Sequence, residues 1–564
     1  MSPWHAACGR HLITVRPRRT GHLTVPVMTM TGPQPVARWP RPGRSAGPGF
    51  TMAHRPEQAI PKSRARDSTK EETMPDQYEL PRKEQHVINA KCKALRAFFR
   101  LYPHLEDSVI IATMRKLAGE NHYPQGQDFL EKGMIVLKKA MKTANPLARQ
   151  RLVENLILNE CVKGQAMRRH VTEQVGVEIP VLLVVSPTMR CPLNCYGCYA
   201  AQYSKDADLD FKAFDNLITE AKSIGIHFFV ISGGEPFIYP GIHEIFAKHS
   251  DVWFQVYTSG VTLTDDGVSK LAGLGNVMPC ISVEGFKEEV DQRRGEGHFD
   301  RITAAFARLR NAGVPFGFSA TATRQNNDLV MSDEFVEFYM KQGASVGWYF
   351  QYLPIGREPN FELAPTAEQR IARLKRIGEL RQKYPLALAD FWNDGPTVGG
   401  CIAVRRYLHI NHAGRIEPCV FCQFSTESIY EMGLLDALRK SPLFAAVRKR
   451  QPYNENLLRP CMIIDNPQVL KEIVDEAMPA ETCPQGAKRL IGERYTQLCE
   501  SAAEFGVLAD DIWRRLYAVD YREALAEARR LQQAYQGVRQ TDQPQRATTA
   551  EPAEAGEEAQ EPVA

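Results

Sequence analysis

Three cysteines that lie close together carry the strongest chemical signal in the sequence. Cys191, Cys195 and Cys198 are separated by three and then two residues, in the run Met-Arg-Cys-Pro-Leu-Asn-Cys-Tyr-Gly-Cys-Tyr. A structural zinc site normally takes four ligands from two separated pairs. Three thiolates on one loop instead suit three corners of a 4Fe-4S cube, whose fourth iron can then bind a substrate or cofactor. The spacing therefore favours an iron–sulfur site over zinc.

A second set of cysteines lies much later in the chain. It consists of Cys401, Cys419, Cys422 and Cys461. Apolar runs at 406–410 and 415–420 flank Asn-His-Ala-Gly, where Gly414 can supply a positive backbone angle, so we expect a hairpin that brings Cys419 and Cys422 near Cys401. Four converging thiols fit one second 4Fe-4S cluster or a structural zinc. If Cys461 is not a ligand, the cluster has an open iron.

The elements around the first cysteine set predict the fold class. Short, nearly continuous apolar runs alternate with helical stretches, and these runs lie at 181–185, 227–231, 253–257, 277–283, 315–320 and 345–352. Such alternation is typical of parallel strands joined by crossover helices. We expect an α/β fold, a partial TIM-like (β/α)6 barrel, with functional groups at the carboxyl ends of its strands. The cysteine triplet follows the first of these strands.

Polar and glycine residues at the next strand ends extend the candidate site. Gly233, Gly234 and Glu235 end the second strand, where glycines let backbone approach a ligand and a carboxylate can accept from an ammonium group. A plain glycine turn is the alternative. Ser259 follows the third strand and Ser282 lies in the fourth, although serine is also a common turn former.

An arginine pair completes the candidate set. Arg294 follows the fourth strand in Asp291-x2-Arg294-Gly, and a guanidinium suits a two-pronged contact with a carboxylate. The adjacent Arg293 is the alternative partner, and a solvated basic turn is the plain one. Cys483 and Cys499 are further thiols, for which hydrogen-atom donation or cluster ligation competes with the commoner role of a buried structural thiol.

The triplet Cys191-x3-Cys195-x2-Cys198, with tyrosines beside it, resembles the signature of radical S-adenosylmethionine (SAM) enzymes, and Ser-Gly-Gly-Glu-Pro resembles their Gly-Gly-Glu-Pro motif. The resemblance covers about 177–398. It implies a 4Fe-4S cluster whose free iron binds the amino and carboxylate groups of SAM, and reductive cleavage to a 5′-deoxyadenosyl radical. It also implies SAM contacts by Gly233, Gly234, Glu235, Ser259, Ser282 and Arg294.

The second cysteine set is similar to the opening of the SPASM extension of these enzymes, which carries auxiliary 4Fe-4S clusters. The later cysteines of that pattern, a pair followed by spacings of five and three, are missing here. The family resemblance also implies a low-potential electron donor, a flavodoxin or ferredoxin. We expect hydrogen abstraction from a peptide or protein side chain or a small molecule. A lipid substrate, or a non-catalytic electron-transfer protein, are the alternatives.

Charge and composition divide the chain. Residues 1–73 carry 12 Lys and Arg against 4 Asp and Glu, and residues 541–564 carry 1 against 6, so the formal +4 leaves +1 for the rest. We expect a disordered leader or a later translation start at 1–73, helices at 76–172, the barrel at 176–398, an auxiliary cluster region at 399–485, helices at 486–540 and a disordered acidic tail at 541–564.

The same composition excludes several classes of protein. No apolar run comes near the ~20 residues of a membrane-spanning helix, so we expect no transmembrane segment. We expect no nucleic-acid partner, because the nearly neutral middle of the chain has no basic helix and no zinc-finger spacing. Thirteen cysteines without a secretory signal make a disulfide framework improbable, and oxygen-sensitive clusters point to the reducing cytoplasm.

Overall fold

The computed structural model describes residues 78–118, 124–484, 486–523, 525, 526 and 530. The leader predicted at 1–73 and the acidic tail predicted at 541–564 lie outside these residues. Among the helices of the described segments, none is both long and apolar enough to cross a membrane.

The amino-terminal part of the described chain is helical. It comprises α1 Arg82–Leu101, α2 Asp107–Ala118, α3 Pro124–Thr143, α4 Pro146–Arg151, a π-helical stretch Leu152–Gly164 and α5 Gln165–Val175. The sequence predicts an apolar stripe at Ile88, Cys92, Leu95 and Phe99, and these four are the buried residues of α1. It predicts a second stripe at Leu130, Met134, Leu137 and Met141, of which Met141 is buried and Leu130 is 49% exposed. Helix α5 ends at Gly176, whose φ of 70° makes it a left-handed cap.

A parallel sheet with crossover helices follows. Its strands are β1 Leu182–Val185, β2 Phe228–Ile231, β3 Trp253–Thr258, β4 Val277–Val283, β5 Gly317–Ala322, β6 Val346–Gln351 and β7 Ala387–Asp390. The helices between them are α6 Phe211–Ser223, α7 Ile242–Lys248, α8 Asp265–Leu274, α9 Lys287–Arg294, α10 His298–Asn311, α11 Asn327–Val330, α12 Asp333–Gln342 and α13 Ala367–Lys383. All six predicted strands are present, and the predicted α/β fold class is confirmed.

The sheet is larger than the six units that the sequence predicts. After the short helix α14 Gly395–Val398, the chain forms β8 Tyr407–Ile410, β9 Arg415–Glu417, β10 Phe424–Ser425 and β11 Glu427–Ser428. The strand order is β11-β9-β8-β1-β2-β3-β4-β5-β6-β7. Strand β8 pairs in parallel with β1, and Val184 lies opposite His409. The predicted hairpin, β8 and β9, is therefore part of the barrel sheet.

The carboxyl-terminal part is mainly helical. It contains α15 Leu434–Lys440, α16 Pro442–Arg450, α17 Pro467–Ala477, β12 Ala480–Glu481, α18 Ala487–Ile491 and α19 Tyr495–Leu516. Strand β12 pairs with β10 in a separate two-stranded sheet. Thr482, which follows β12, donates its backbone N–H to the carbonyl of Gln423 at 3.0 Å.

The two faces of the sheet pack into different cores because strand side chains alternate. Phe254 and Val256 of β3 join the core formed with the crossover helices. Their neighbour Trp253, with Met278 and Cys280 of β4, packs instead with α1 and the π-helical stretch. The amino-terminal helices therefore cover the face of the sheet that the crossover helices leave open.

Candidate active site

The first cysteine set lies in the loop that follows β1, at the carboxyl end of the parallel strands. Cys191, Cys195 and Cys198 are free thiols, and each is partly exposed. Gly197, beside the third cysteine, has a φ of 64°, and a Cβ at this position would lie 2.7 Å from the Tyr352 ring. The tight approach of that ring requires a glycine here.

Two residues that the sequence analysis missed cover this loop. The backbone N–H of Arg357 donates to the carbonyl of Cys198 at 3.1 Å, and its guanidinium donates to the carbonyl of Cys195 at 3.2 Å. A Cβ on Gly356, whose φ is 80°, would lie 2.2 Å from the carbonyl oxygen of Cys198. The signal available in the sequence was a glycine and an arginine just beyond the end of a predicted strand.

The thiols lie in a site that disfavours isolated negative charge. Burial raises the pKa of Cys191 to about 11, although a hydrogen bond from the backbone of Leu193 opposes the shift. Burial also raises the pKa of Cys195, against the opposing effect of Arg294 and Arg293. Thiolates in such surroundings are stabilised by a bound cation, and soft thiolate ligands suit iron–sulfur clusters. The three donors fit the cluster that their spacing predicts.

The glycines after β2 are in direct backbone contact with the cysteine loop. The N–H of Gly234 donates to the carbonyl of Thr188 at 2.9 Å, and that of Glu235 donates to the carbonyl of Arg190 at 2.8 Å. A Cβ on Gly233 would lie 2.4 Å from the Thr188 oxygen, and one on Gly234 would lie 2.1 Å from the Arg190 oxygen. Larger residues would therefore push the two loops apart.

Glu235 is fully buried and its carboxylate is already occupied. Oε1 accepts from the hydroxyl of Thr258 at 2.8 Å and from the N–H of Phe237 at 3.3 Å. Oε2 accepts from the N–H of Ser259 at 2.8 Å and from its hydroxyl at 2.5 Å. Burial raises the pKa of Glu235, and the hydrogen bonds from Ser259 oppose that rise. The carboxylate joins the ends of β2 and β3, so an ammonium group reaching it would share oxygens that already accept four bonds.

Arg293 and Arg294 form one buried charge cluster with Glu284. Arg294 binds both oxygens of Glu284, at 2.7 and 2.6 Å, and Arg293 binds Oε1 at 3.0 Å. The guanidinium of Arg293 also donates to the carbonyl of Tyr196, in the cysteine loop, at 3.4 Å. Burial alone would raise the pKa of Glu284, yet Arg294 and Arg293 bring it below its ordinary value. Two cations and one anion leave a charge of +1 beside Cys195, which suits an incoming carboxylate.

The remaining strand-end groups differ in their accessibility. Ser282 is partly exposed, and its hydroxyl lies 3.3 Å from that of Ser319 on β5. Gln351, at the end of β6, instead accepts from the buried guanidinium of Arg373 at 3.0 Å. Ser282 is thus placed to meet a ligand, whereas Gln351 is held within the protein.

The four cysteines of the second set converge on a buried tyrosine. These cysteines are Cys401, Cys419, Cys422 and Cys461, all free thiols. Burial raises the pKa of Tyr453 well above its ordinary value, and the negative charge of each of the four cysteines, when ionised, adds to that rise. Backbone N–H groups of Phe421 and Ile463 donate to the sulfurs of Cys419 and Cys461, each at 3.3 Å. Hydrogen bonds of this kind tune the sulfurs of iron–sulfur clusters.

Within the described segments of the chain, no three His, Cys, Asp or Glu side chains surround a position for one metal ion.

A buried ion pair that sequence reasoning missed holds Cys461 in place. Asp465 accepts from the backbone N–H of Cys461 at 2.9 Å and binds the guanidinium of Arg370 at 2.5 Å. Arg370 lies on α13, and its Nε donates to the side-chain oxygen of Asn393 at 3.1 Å. Its guanidinium carbon lies 3.7 Å from the ring centre of Phe505 on α19. Both ionic side chains are almost completely buried. Cys461 is therefore connected through Asp465 and Arg370 to α13 of the barrel and to α19.

Cys483 packs against the first cysteine loop rather than the second set. It is buried with Met189 and Tyr203, and Cys198 and Tyr199 pack against that group. Burial raises the pKa of Cys483 to about 12, and the charge of Glu417 adds to the rise. Its thiol is therefore protonated at neutral pH, the state that a hydrogen-atom donor requires.

Comparisons with known proteins agree with this arrangement. The family model described as the Radical SAM superfamily matches residues 185–330, from the end of β1 to α11. The chain is 30% identical over 294 residues to the Mycofactocin maturase MftC of Mycobacterium tuberculosis, which is 49% of this chain and 74% of that protein. A maturase of the same name from Mycolicibacterium smegmatis is 32% identical over 202 residues, 35% of this chain and about half, 51%, of its own length. The AdoMet-dependent heme synthase of Methanosarcina barkeri is 25% identical over 299 residues, 48% of this chain and 85% of the relative.

Proposed function

This chain belongs to the radical SAM superfamily, and on that premise we propose that Cys191, Cys195 and Cys198 hold a 4Fe-4S cluster for reductive cleavage of SAM. The chemistry that the bound cluster and SAM supply in this family is a 5′-deoxyadenosyl radical, which removes a hydrogen atom from a substrate. The protein's own residues bind and orient the two groups and exclude water from them. We also propose the limits predicted from the sequence, which are 176–398 for the barrel and 399–485 for the auxiliary cluster region.

The observation that carries the proposal is the meeting of three strand ends on one cysteine loop. The backbone N–H groups of Gly234 and Glu235, after β2, donate to carbonyls of this loop. Arg293 from α9 donates to the carbonyl of Tyr196, and Arg357 after β6 donates to those of Cys195 and Cys198. The +1 charge of Glu284 with its two arginines supports binding of the SAM carboxylate there. Ser259 and Ser282 are proposed to contact the same ligand.

The auxiliary cysteines are proposed to hold a second 4Fe-4S cluster. Their convergence near Tyr453 and the N–H groups directed at Cys419 and Cys461 support a four-thiol centre. Structural zinc is the second candidate because it takes the same ligands, although the described side chains form no position for a single metal ion. Iron, zinc and acid-labile sulfide measured on anaerobically purified protein separate these possibilities.

The substrate is proposed to be a peptide side chain, since the matched relatives from the two mycobacterial species are called maturases. A small molecule is the second candidate, because the match to the heme synthase covers 85% of that protein. A low-potential flavodoxin or ferredoxin is proposed as electron donor, and the reducing cytoplasm as the compartment where free thiols and clusters persist.

Reduced, anaerobically reconstituted protein is the material for the test. It should convert SAM to 5′-deoxyadenosine and methionine, measured by mass spectrometry. The Cys195→Ala variant should stay folded and lose this turnover, whereas Cys499→Ala, a half-exposed thiol on α19, should retain it. Absence of turnover in wild-type protein that carries intact clusters would reject the proposal.

A further inference from the structure

Glu417 is a fully buried carboxylate that is hydrogen-bonded to four residues from three separate parts of the chain. It ends β9, two residues before Cys419. The hydroxyl of Thr482 donates to it at 2.5 Å and the amide of Asn411 at 2.7 Å. The hydroxyl of Tyr203 donates to its two oxygens at 3.2 and 3.3 Å. The pairing of a buried carboxylate with this many donors satisfies its hydrogen-bonding capacity.

A histidine extends the network to the strand that carries the first cysteine loop. His409 Nδ1 lies 2.5 Å from Glu417, and its Nε2 lies 2.8 Å from the hydroxyl of Ser186. A neutral imidazole that donates from Nδ1 to the carboxylate accepts at Nε2 from the serine. Ser186 directly follows β1 and is fully buried. The Glu417 network, defined here as Ser186, Tyr203, His409, Asn411, Glu417 and Thr482, thus joins both cysteine regions.

The serine end of this network lies against the loop that follows β2 and contains Gly233 and Gly234. A Cβ added to Gly233 would come within 3.2 Å of the Cβ of Ser186. The hydroxyl of Ser186 is turned toward His409, so the imidazole fixes the side chain on which Gly233 rests. Tyr203 provides a second connection, because it follows Cys198 by five residues and packs with Cys483.

We propose that Glu417 is a positioning residue. It fixes the segment that carries Cys419 and Cys422 relative to the loop after β2 that carries Gly233 and Gly234. It acts on Cys419 through the backbone of β9, on the first cysteine loop through Tyr203, and on Gly233 through His409 and Ser186. This inference rests on the proposed function, because it takes both cysteine sets to hold clusters. It assigns a role to a carboxylate whose hydrogen-bond partners, within the described part of the chain, include no cysteine of either set.

The test uses the Glu417→Gln variant, which keeps the shape and replaces one oxygen by an amide nitrogen. Glu427→Gln is the matched control, since Glu427 is also a buried carboxylate of this sheet, and it accepts from Thr426 at 2.6 Å. Electron paramagnetic resonance of reduced, reconstituted protein is recorded with and without SAM. We expect Glu417→Gln to alter both the signal of the cluster at the second cysteine set and the SAM-induced change in the signal of the cluster at the first. We also expect it to raise the KM for SAM about tenfold, the effect of one lost hydrogen bond.

Wild-type signals and KM in Glu417→Gln, or a change confined to one cluster, would overturn the inference. The appearance of both effects in the Glu427→Gln control would overturn it equally, since the loss of any buried carboxylate in this sheet would then produce them. If Glu417→Gln does not fold, Ser186→Ala decides the matter: we expect a higher KM for SAM with an unchanged auxiliary signal, and an unchanged KM would refute the connection. Wild-type protein without iron, or without any response to SAM, would instead reject the proposed function.

Discussion

The phenol ring of Tyr199 meets the ring of Phe421 edge to face, with the ring centres 5.4 Å apart. Tyr199 follows Cys198 of the first cysteine loop, and Phe421 lies between Cys419 and Cys422 of the second set. Phe421 also packs on Trp392, with ring centres at 5.1 Å. The two candidate cluster sites are therefore in contact through aromatic side chains rather than separated by solvent.

This contact should contribute measurably to stability. Phe421→Leu and Tyr199→Leu, alone and combined, form a double-mutant cycle, and we expect a coupling energy of about 0.5–1.5 kcal/mol. Urea unfolding of the metal-free protein measures it. The pair formed by Trp513 on α19 and Tyr517 just after that helix, with ring centres 5.5 Å apart, provides a reference cycle. A coupling energy near zero for Tyr199 and Phe421 would mean that the rings touch without stabilising the contact.

Loss of an auxiliary cysteine should separate the two cluster sites functionally. In Cys422→Ala we expect the iron content to fall by about four atoms per chain, the content of one cluster, while SAM cleavage in the absence of substrate continues. The physical reason is that no auxiliary cysteine belongs to the loop 191–198. Iron analysis and quantification of 5′-deoxyadenosine check this. A fall in zinc instead of iron would establish the structural alternative.

Removal of the charge on Glu284 should destabilise the fold strongly. Glu284→Gln leaves two buried guanidinium groups without their counter-charge, and breaking a buried ion pair in this way costs about 3–5 kcal/mol. Urea unfolding gives the free energy of unfolding. Asp265→Asn, which breaks a pair in which Asp265 is 91% exposed, should change it by less than about 1 kcal/mol. Similar losses in the two variants would contradict the assigned burial.

The same carboxylate predicts a pH dependence. The pKa of Glu284 in the folded protein lies below its ordinary value of 4.5, so its contribution is complete above that pH and is lost as the pH falls through the folded value. The difference in unfolding free energy between wild type and Glu284→Gln should therefore stay constant from about pH 7 to about pH 4.5 and shrink as the pH is lowered further. A difference that grew on acidification would reverse the sign of the shift.

The ion pair beneath Cys461 should control both stability and auxiliary metal content. Asp465→Asn leaves the buried Arg370 unpaired, and we expect a loss of about 3–5 kcal/mol in the free energy of unfolding. We also expect less iron at the auxiliary site, because the asparagine no longer binds Cys461 and Arg370 together. Asp436→Asn, in an exposed pair with Lys440, serves as the control and should change neither quantity. Normal iron content in Asp465→Asn would show that the cluster does not need this support.

Local patterns in the sequence were sufficient for the strands and the apolar stripe of α1. The run 277–283 coincides with β4, and the other five predicted strands overlap those observed, because a buried parallel strand is a short apolar run with sharp ends. Strand β7 was not predicted. Its sequence Ala-Leu-Ala-Asp is rich in alanine, which is depleted in strands, and only its pairing with β6 makes it one.

The contacts that organise the candidate site were not visible in the sequence, for a different reason. Tyr203 and Glu417 are separated by 214 positions, and Arg370 and Asp465 by 95. A single buried glutamate or arginine has no local pattern that distinguishes it from a surface residue. The pairing of β8 with β1 is equally long-range, so the hairpin was predicted without its place in the barrel sheet. The assignments of SAM and cluster ligands remain predictions for the experiments above.

The packing of the amino-terminal helices against the sheet has an evolutionary consequence. Trp253, Met278 and Cys280 lie on barrel strands but find their apolar neighbours on α1 and the π-helical stretch. A shorter relative that began at β1 would present these side chains to water, unless other residues had been substituted there. In a relative without the helical segment, we therefore expect more polar residues at the strand positions that it covers here.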